Sequence, residues 1–209
     1  MTGPKNSMSE RVCEIFPTRM PPIPQEQLSN EQRRALEGLA SSRGGVNGAF
    51  VAWARCPELM DRVQNLGAYV RFNATLDMRV NYLASLLTAR HWGSQYQWHG
   101  NARRAAEAGL RTEIIEAVSE GRRPTGMAED EEVAYDFSTE ALTNKSVSDP
   151  TYTRAVKMFG EAGVIDLLGV IGYFGLIGLV MNVVRTPIPD GGPLPLVPFP
   201  QAVKVRRTP

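Results

Sequence analysis

Groups that titrate near neutrality or bind soft metals are scarce in this chain. Among 209 residues there are two histidines, His91 and His99, and two cysteines, Cys13 and Cys56. The cysteines stand 43 positions apart, a separation that matches neither a redox pair nor a zinc site. Cys56 opens CPELMDRV, a helix start with Pro57 in its first turn, where burial as a small apolar residue is expected. No His, Asp or Glu cluster falls at metal-ligand spacing on one helix, and the run EDEE at Glu129 to Glu132 fits an acidic helix start. A phosphate-cradling Gly loop with its lysine is missing as well. Neither a metal nor a cofactor is expected. An excess of one charge is also lacking: 23 Lys and Arg face 22 Asp and Glu, for a net charge of +1. That balance argues against a nucleic-acid partner, and the terminal KVRR, Lys204 to Arg207, reads as a solvated tail. The opening MTGPKNSMSERV lacks the apolar run of a signal peptide, so a reducing cytoplasm is the expected location.

Alternating strand patterns of any length are absent, which leaves an all-α reading. A chain of this size suits one sizeable core. Ser29 with Gln32 three residues on forms a capping box, opening a helix to about Ala40. Further helices are expected at 57–72, 77–91, 94–108, 112–119, 128–143, 150–159 and 163–184. Gly93 and Gly109 serve as stops. The run VIDLLGVIGYFGLIGLVMNVV at 164–184 is long and apolar, yet Asp166 and four glycines interrupt it. It is expected at the centre of a bundle or at a subunit interface, with no membrane involved. The Pro-rich arm before residue 28 and the tail PIPDGGPLPLVPFP are expected to lie extended, packed along a neighbouring surface or subunit.

The stretch Arg79 to Leu110, RVNYLASLLTARHWGSQYQWHGNARRAAEAGL, resembles the carboxymuconolactone decarboxylase and alkylhydroperoxidase D superfamily. Redox members carry a Glu, a Cys-x-x-Cys and a His on two consecutive helices. The first Cys lies twelve residues after the Glu, the second three further, and the His four further. Anchored on ARHWGSQYQW and ARRAAEAGL, that frame falls without a gap on Tyr82, Ser94, Gln97 and Asn101. A thiol peroxidase needs a thiolate, a resolving thiol and an activating base. None of these can come from the four residues present, so thiol peroxidase chemistry is not expected. QYQW also resembles the YEW of thiol-free relatives, with Gln97 in place of the Glu.

The resemblance covers about residues 28–190 and extends to EVAYDFSTE and RAVKMFGEAGVIDLLGVIGYF. It implies an alkylhydroperoxidase D-like helical bundle: an extended arm at 1–27, a helical domain at 28–186 and a Pro-rich tail at 187–209. The apolar closing helix and both arms present more apolar surface than a monomer should leave wet, so a homo-oligomer, trimer or hexamer, is expected.

Tyr82, His99 and Asn101 are the candidate catalytic residues, with Ser94, Tyr96, Gln97, Trp98 and His91 as candidate substrate contacts. Tyr82 replaces a carboxylate with a phenol of ordinary pKa about 10. Such a group either donates to an oxyanion or is a buried aromatic whose hydroxyl finds a partner. Ser94, Gln97 and Asn101 share a helical face, as a ligand-orienting stripe or as a polar core stripe. His99 precedes the family's His position by two residues, a rotation of about 200°. His91 either moves a proton or faces the end of a helix dipole. These positions are expected to meet near Gly93 on a mostly apolar pocket. Resemblance to γ-carboxymuconolactone decarboxylase implies a cofactor-independent lyase or isomerase acting on a small, ring-containing organic acid. Tyr82, Gln97 and Asn101 would hold a developing enolate or carboxylate, and His99 or His91 would move the proton. The alternative is a non-catalytic ligand-binding or structural oligomer on the same scaffold.

Overall fold

The computed structural model describes residues 17–43, 45–189 and 194–196. Cys13, the KVRR tail and the rest of both arms lie outside the described residues. Among the described residues, eight α-helices and one 3-10 turn, Gln25–Gln27, make up the regular structure, and there is no strand. In chain order they are α1 (Asn30–Arg43), α2 (Ala49–Trp53), α3 (Pro57–Phe72), α4 (Met78–His91), α5 (Gln95–Glu107), α6 (Thr112–Ser119), α7 (Glu129–Asn144) and α8 (Asp149–Val184).

Local chemistry sets most of these boundaries. The Ser29–Gln32 capping box forms reciprocally, with Gln32 N donating to Ser29 Oγ at 3.1 Å and Ser29 N to Gln32 Oε1 at 2.9 Å. The helix it opens runs on to Arg43 rather than stopping near Ala40. Val51, Ala52 and Trp53 belong to the short helix α2. In α3, Met60, Val63, Gly67 and Val70 are buried at spacings of three and four. Cys56 sits one turn before Met60 and would extend that stripe, but it is exposed. As the N-cap of α3 it has φ −133° and ψ 77°, which swings its side chain off the buried face. Asp77 caps α4 by accepting from Arg79 N at 2.8 Å.

The helices expected at 150–159 and 163–184 run together as α8, broken in conformation only at Gly160, φ 70° and ψ 172°. Its apolar part is long enough to cross a membrane by composition, yet 56% of that window is buried within the chain. Leu167, Val170, Tyr173 and Phe174 belong to the core there. Asp166, 5% exposed, accepts from Tyr69 Oη at 2.8 Å, Thr75 N at 2.6 Å and Thr75 Oγ1 at 2.8 Å. A buried charge with three donors is thereby tied into the α3–α4 turn.

α4 lies at the centre, packed by α5, α7 and α8. Val80 and Ala84 join the core built around Phe137, Tyr173 and Phe174, while Leu83, Leu86 and Ala89 join a second one around Trp98, Leu110 and Ile114. Gly67 lets α3 approach α8, because a Cβ there would collide with the buried Tyr173 side chain.

Both described arm segments pack on their own chain. Arg19 N and Thr18 Oγ1 donate to Val184 O at 2.8 and 3.2 Å, and Arg19 Nη1 to Val183 O at 3.1 Å. These bonds occupy carbonyls left open at the C-terminus of α8. Leu196 is 1% exposed in the second core. The tail was expected along another subunit, but here the Gln95 amide bonds Leu196 N and O, both at 2.8 Å, and so supplies the complement the extended backbone needs.

Candidate functional site

A cleft of about 540 Å³ opens between α3, α5 and α8, with the 45–50 segment at one end. α5 supplies one wall. Tyr96, Gln97, Asn101 and Arg104 project into it at helical spacing, and Tyr82 joins them from α4. α3 contributes Gln64 and Arg71 from across the cleft, and Phe50, Phe174, Ile177 and Met181 give the remainder an apolar lining. Among the described residues the lining contains two arginines and no Asp, Glu or His. Its electrostatic field therefore favours an anion.

Gln97 is 4% exposed and donates through Nε2 to Phe174 O at 2.8 Å, tying α5 to α8. Gly178 permits this reach, since a Cβ there would lie 3.0 Å from Gln97 Oε1. That oxygen and Asn101 Nδ2 are buried behind the cleft wall with no hydrogen-bond partner among the described residues. Unmet polar atoms in a protein interior are costly. Arg71 places its guanidinium over the Phe174 ring, 5.5 Å from the centroid. Burial raises the Tyr96 phenol above its ordinary value, with Arg104 and a hydrogen bond from the Gly48 backbone acting the other way. Tyr96 is thus a protonated donor at neutral pH.

Of the candidate residues, Tyr82, Tyr96, Gln97 and Asn101 meet on this cleft. The others do not. Ser94 is the fully buried N-cap of α5, with an unpartnered Oγ and no place in the lining. Trp98 is 4% exposed in the second core, about 100° around α5 from Gln97. His99 is exposed on another face of α5. His91 ends α4, exposed and edge-on to Trp92 with ring centroids 5.8 Å apart. Partial burial and then the nearby Lys145 ammonium depress its pKa. Neither imidazole reaches the cleft.

Sequence reading missed both arginines and Gln64. Arg104 was within reach of it, because it lies three residues beyond Asn101 and prolongs the stripe of Gln97 and Asn101. Arg71 was not, since its place depends on how α3 packs against α8.

No family model and no curated protein sequence matches the chain. Solved structures do. A Ralstonia eutropha protein described as an alkylhydroperoxidase AhpD core, an uncharacterized peroxidase-related protein, superposes with a TM-score of 0.68 at 13% identity, over 87% of this chain and 98% of that one. The debrominase Bmp8 in complex with 2,3,4-tribromopyrrole gives 0.66 at 12% identity, over 84% and 94%. An Agrobacterium tumefaciens protein of unknown function, a putative antioxidant defence protein AhpD, gives 0.60 at 17% identity, over 66% and 95%. At such identities the likeness is one of fold. The described residues therefore have an all-helical alkylhydroperoxidase D-like fold.

Proposed function

We propose that this chain binds a small organic acid with an apolar or ring-shaped body in the cleft between α3, α5 and α8. The observation that carries this reading is the placing of Arg71 and Arg104 on one cleft whose other described lining residues are uncharged and largely apolar. A carboxylate would gain charge-assisted hydrogen bonds from the guanidinium groups, and a ring would lie against Phe50, Phe174 and Ile177. The debrominase complex with a halogenated pyrrole is an example of a neighbouring fold with a small ring compound bound.

A second reading, a cofactor-independent lyase or isomerase acting on that acid, draws on Tyr82. Its side chain shares the cleft with Asn101 and Tyr96, and together they could hold a developing enolate. With both histidines outside the cleft, proton transfer in such a reaction falls to the phenols. The lack of any group in the lining that titrates near neutrality favours the binding reading over this one.

Calorimetry with aromatic and alicyclic carboxylates, each paired with its neutral amide, tests the proposal. The acids should bind at least about tenfold more tightly than their amides, and Arg104→Gln should remove about that factor, ~1.4 kcal/mol. Equal binding of acid and amide would overturn it. Incubating the tightest acid with the protein and following it by mass spectrometry separates the two readings. A product, with turnover lowered at least about tenfold in both Tyr82→Phe and Asn101→Ala, supports catalysis.

A further inference from the structure

Behind Tyr96 lies a second, smaller cavity of about 180 Å³. Its floor is Val51 and Ala52 of α2, one side is Val184 and Pro187 at the end of α8, and its roof is the N-terminal strap through Met20 and Pro21. The roof is fastened at both ends. Arg19 N and Thr18 Oγ1 bond Val184 O, and Arg55 Nη2 bonds Pro21 O at 2.9 Å. Gly48 and Tyr96 line both this chamber and the main cleft, so the two spaces adjoin at that ring and that stretch of backbone. They adjoin this closely because residue 48 is glycine. A Cβ there would stand 3.0 Å from Tyr96 Cε1 and 3.2 Å from Met181 Cε. The φ of 61° also suits glycine at this point.

The chamber suits an apolar occupant better than an ordered water, which needs two to four polar partners: seven of its eleven lining residues, Met20, Pro21, Pro22, Val51, Ala52, Val184 and Pro187, carry apolar side chains. The cleft beside it holds the cations and amides, at Arg71, Arg104, Gln97 and Asn101. The whole space is thus polarised, with an anion-favouring mouth and an apolar recess.

We propose that the ligand is an amphiphilic acid. Its carboxylate sits among Arg71, Arg104 and Asn101, and an alkyl or alkenyl arm passes Tyr96 into the recess under the strap. This rests on the reading of the cleft as an organic-acid site and adds to it a ligand class defined by the length of an apolar arm. Ala52 and Thr186 line the recess and not the cleft, so they can be altered without touching the carboxylate site.

The test is a series of para-alkylbenzoates, from benzoate to the hexyl compound, titrated into the full-length protein. Affinity should climb by up to about fourfold per methylene and level off once the recess is full. Ala52→Leu fills the recess from α2 and Thr186→Leu fills it from beyond α8. Either should stop the climb at a shorter arm while leaving benzoate binding unchanged, and thermal melts identify any variant that has simply lost its fold. If benzoate binds and the series is flat, the arm site is refuted while the cleft reading stands. A climb untouched by both variants would place the arm elsewhere and likewise overturn the proposal. If no member binds, the cleft reading fails and this inference fails with it.

Discussion

Asp166→Asn is the substitution that most directly couples the fold to the cleft. The carboxylate collects three donors: Tyr69 Oη on one oxygen, and Thr75 N and Oγ1 on the other. Asparagine keeps one acceptor oxygen and turns the other into a donor, so at least one bond is lost or reversed and all lose their charge assistance. A hydrogen bond to a charged group contributes about 1.5–3 kcal/mol against about 1 for a neutral one. Tyr69 is 47% exposed, so its share is small, and most of the cost falls on the two bonds to Thr75. The expected loss is about 2 kcal/mol, or roughly 4–8 °C in Tm for a chain of this size. Its pH dependence has a definite sign. Burial is the largest single influence on the Asp166 carboxyl and raises it. The bonds from Thr75 N, the Tyr69 hydroxyl and the Thr75 hydroxyl together outweigh burial and hold it below the usual aspartate value. A depressed carboxyl stabilises the fold fully above its unfolded value of about 3.9 and loses that contribution as pH falls through the lower folded value. Urea titrations from pH 7 down to 3 should therefore show the gap between wild type and variant holding near neutrality and closing in acid. Arg71 and Phe72, both on the cleft, lie between Tyr69 and Thr75, so acid binding should weaken in the variant too. A gap that is constant with pH, or a variant as stable as wild type at pH 7, would refute the reasoning.

Three further outcomes are expected. With Ser94 and Gln97 where the resemblance in spacing would set a thiol pair, hydroperoxide should not be consumed through cysteine. An assay with a dithiol reductant, run beside a Cys13→Ser/Cys56→Ser variant, would contradict this if it found cysteine-dependent turnover. Ile165, Leu168, Leu179 and Val183 stand 66%, 43%, 45% and 52% exposed at helical spacing along α8, and Phe72 is 78% exposed nearby in sequence to the cleft wall. Light scattering should accordingly report a trimer or hexamer, and a monomer at micromolar concentration would remove that expectation. Gly48→Ala should cost roughly 1–3 kcal/mol in denaturant melts from its backbone conformation alone, with further loss from the Tyr96 contact. An unchanged midpoint would show that the Gly48–Tyr96 packing is softer than its distances imply.

How far the sequence could be read depended on whether the information was local. Capping at Ser29 and the glycine stops at Gly93 and Gly109 are written within a turn or two of where they act, and each was legible. So was the helix-to-helix frame that brings Tyr82, Gln97 and Asn101 to one cleft, because it is carried by spacing. Ser94 failed to join them although it lies on the same nominal face. As an N-cap, with φ −81° and ψ 92°, it stands outside the helix whose rotation was used to place it. Cys56 was misread for the same reason. Trp98 was credited to the site for its chemistry, while the helical phase sends it into the other core. Arg71, Gln64 and the recess beneath the strap arise from contacts between segments far apart in the chain, and no periodicity announces those.

The strap that roofs the recess also constrains the order in which the molecule can assemble. Thr18 finds its acceptor 166 residues downstream and Gln95 finds Leu196 across 101. Contacts of such separation are reached after the local helices and the central packing have already shortened the path between their ends. During synthesis Thr18 has no Val184 carbonyl to bind until 166 further residues have been made. The apolar recess, and with it the far side of Tyr96, therefore stays uncovered until then. It is among the last parts of the protein to acquire its final shape.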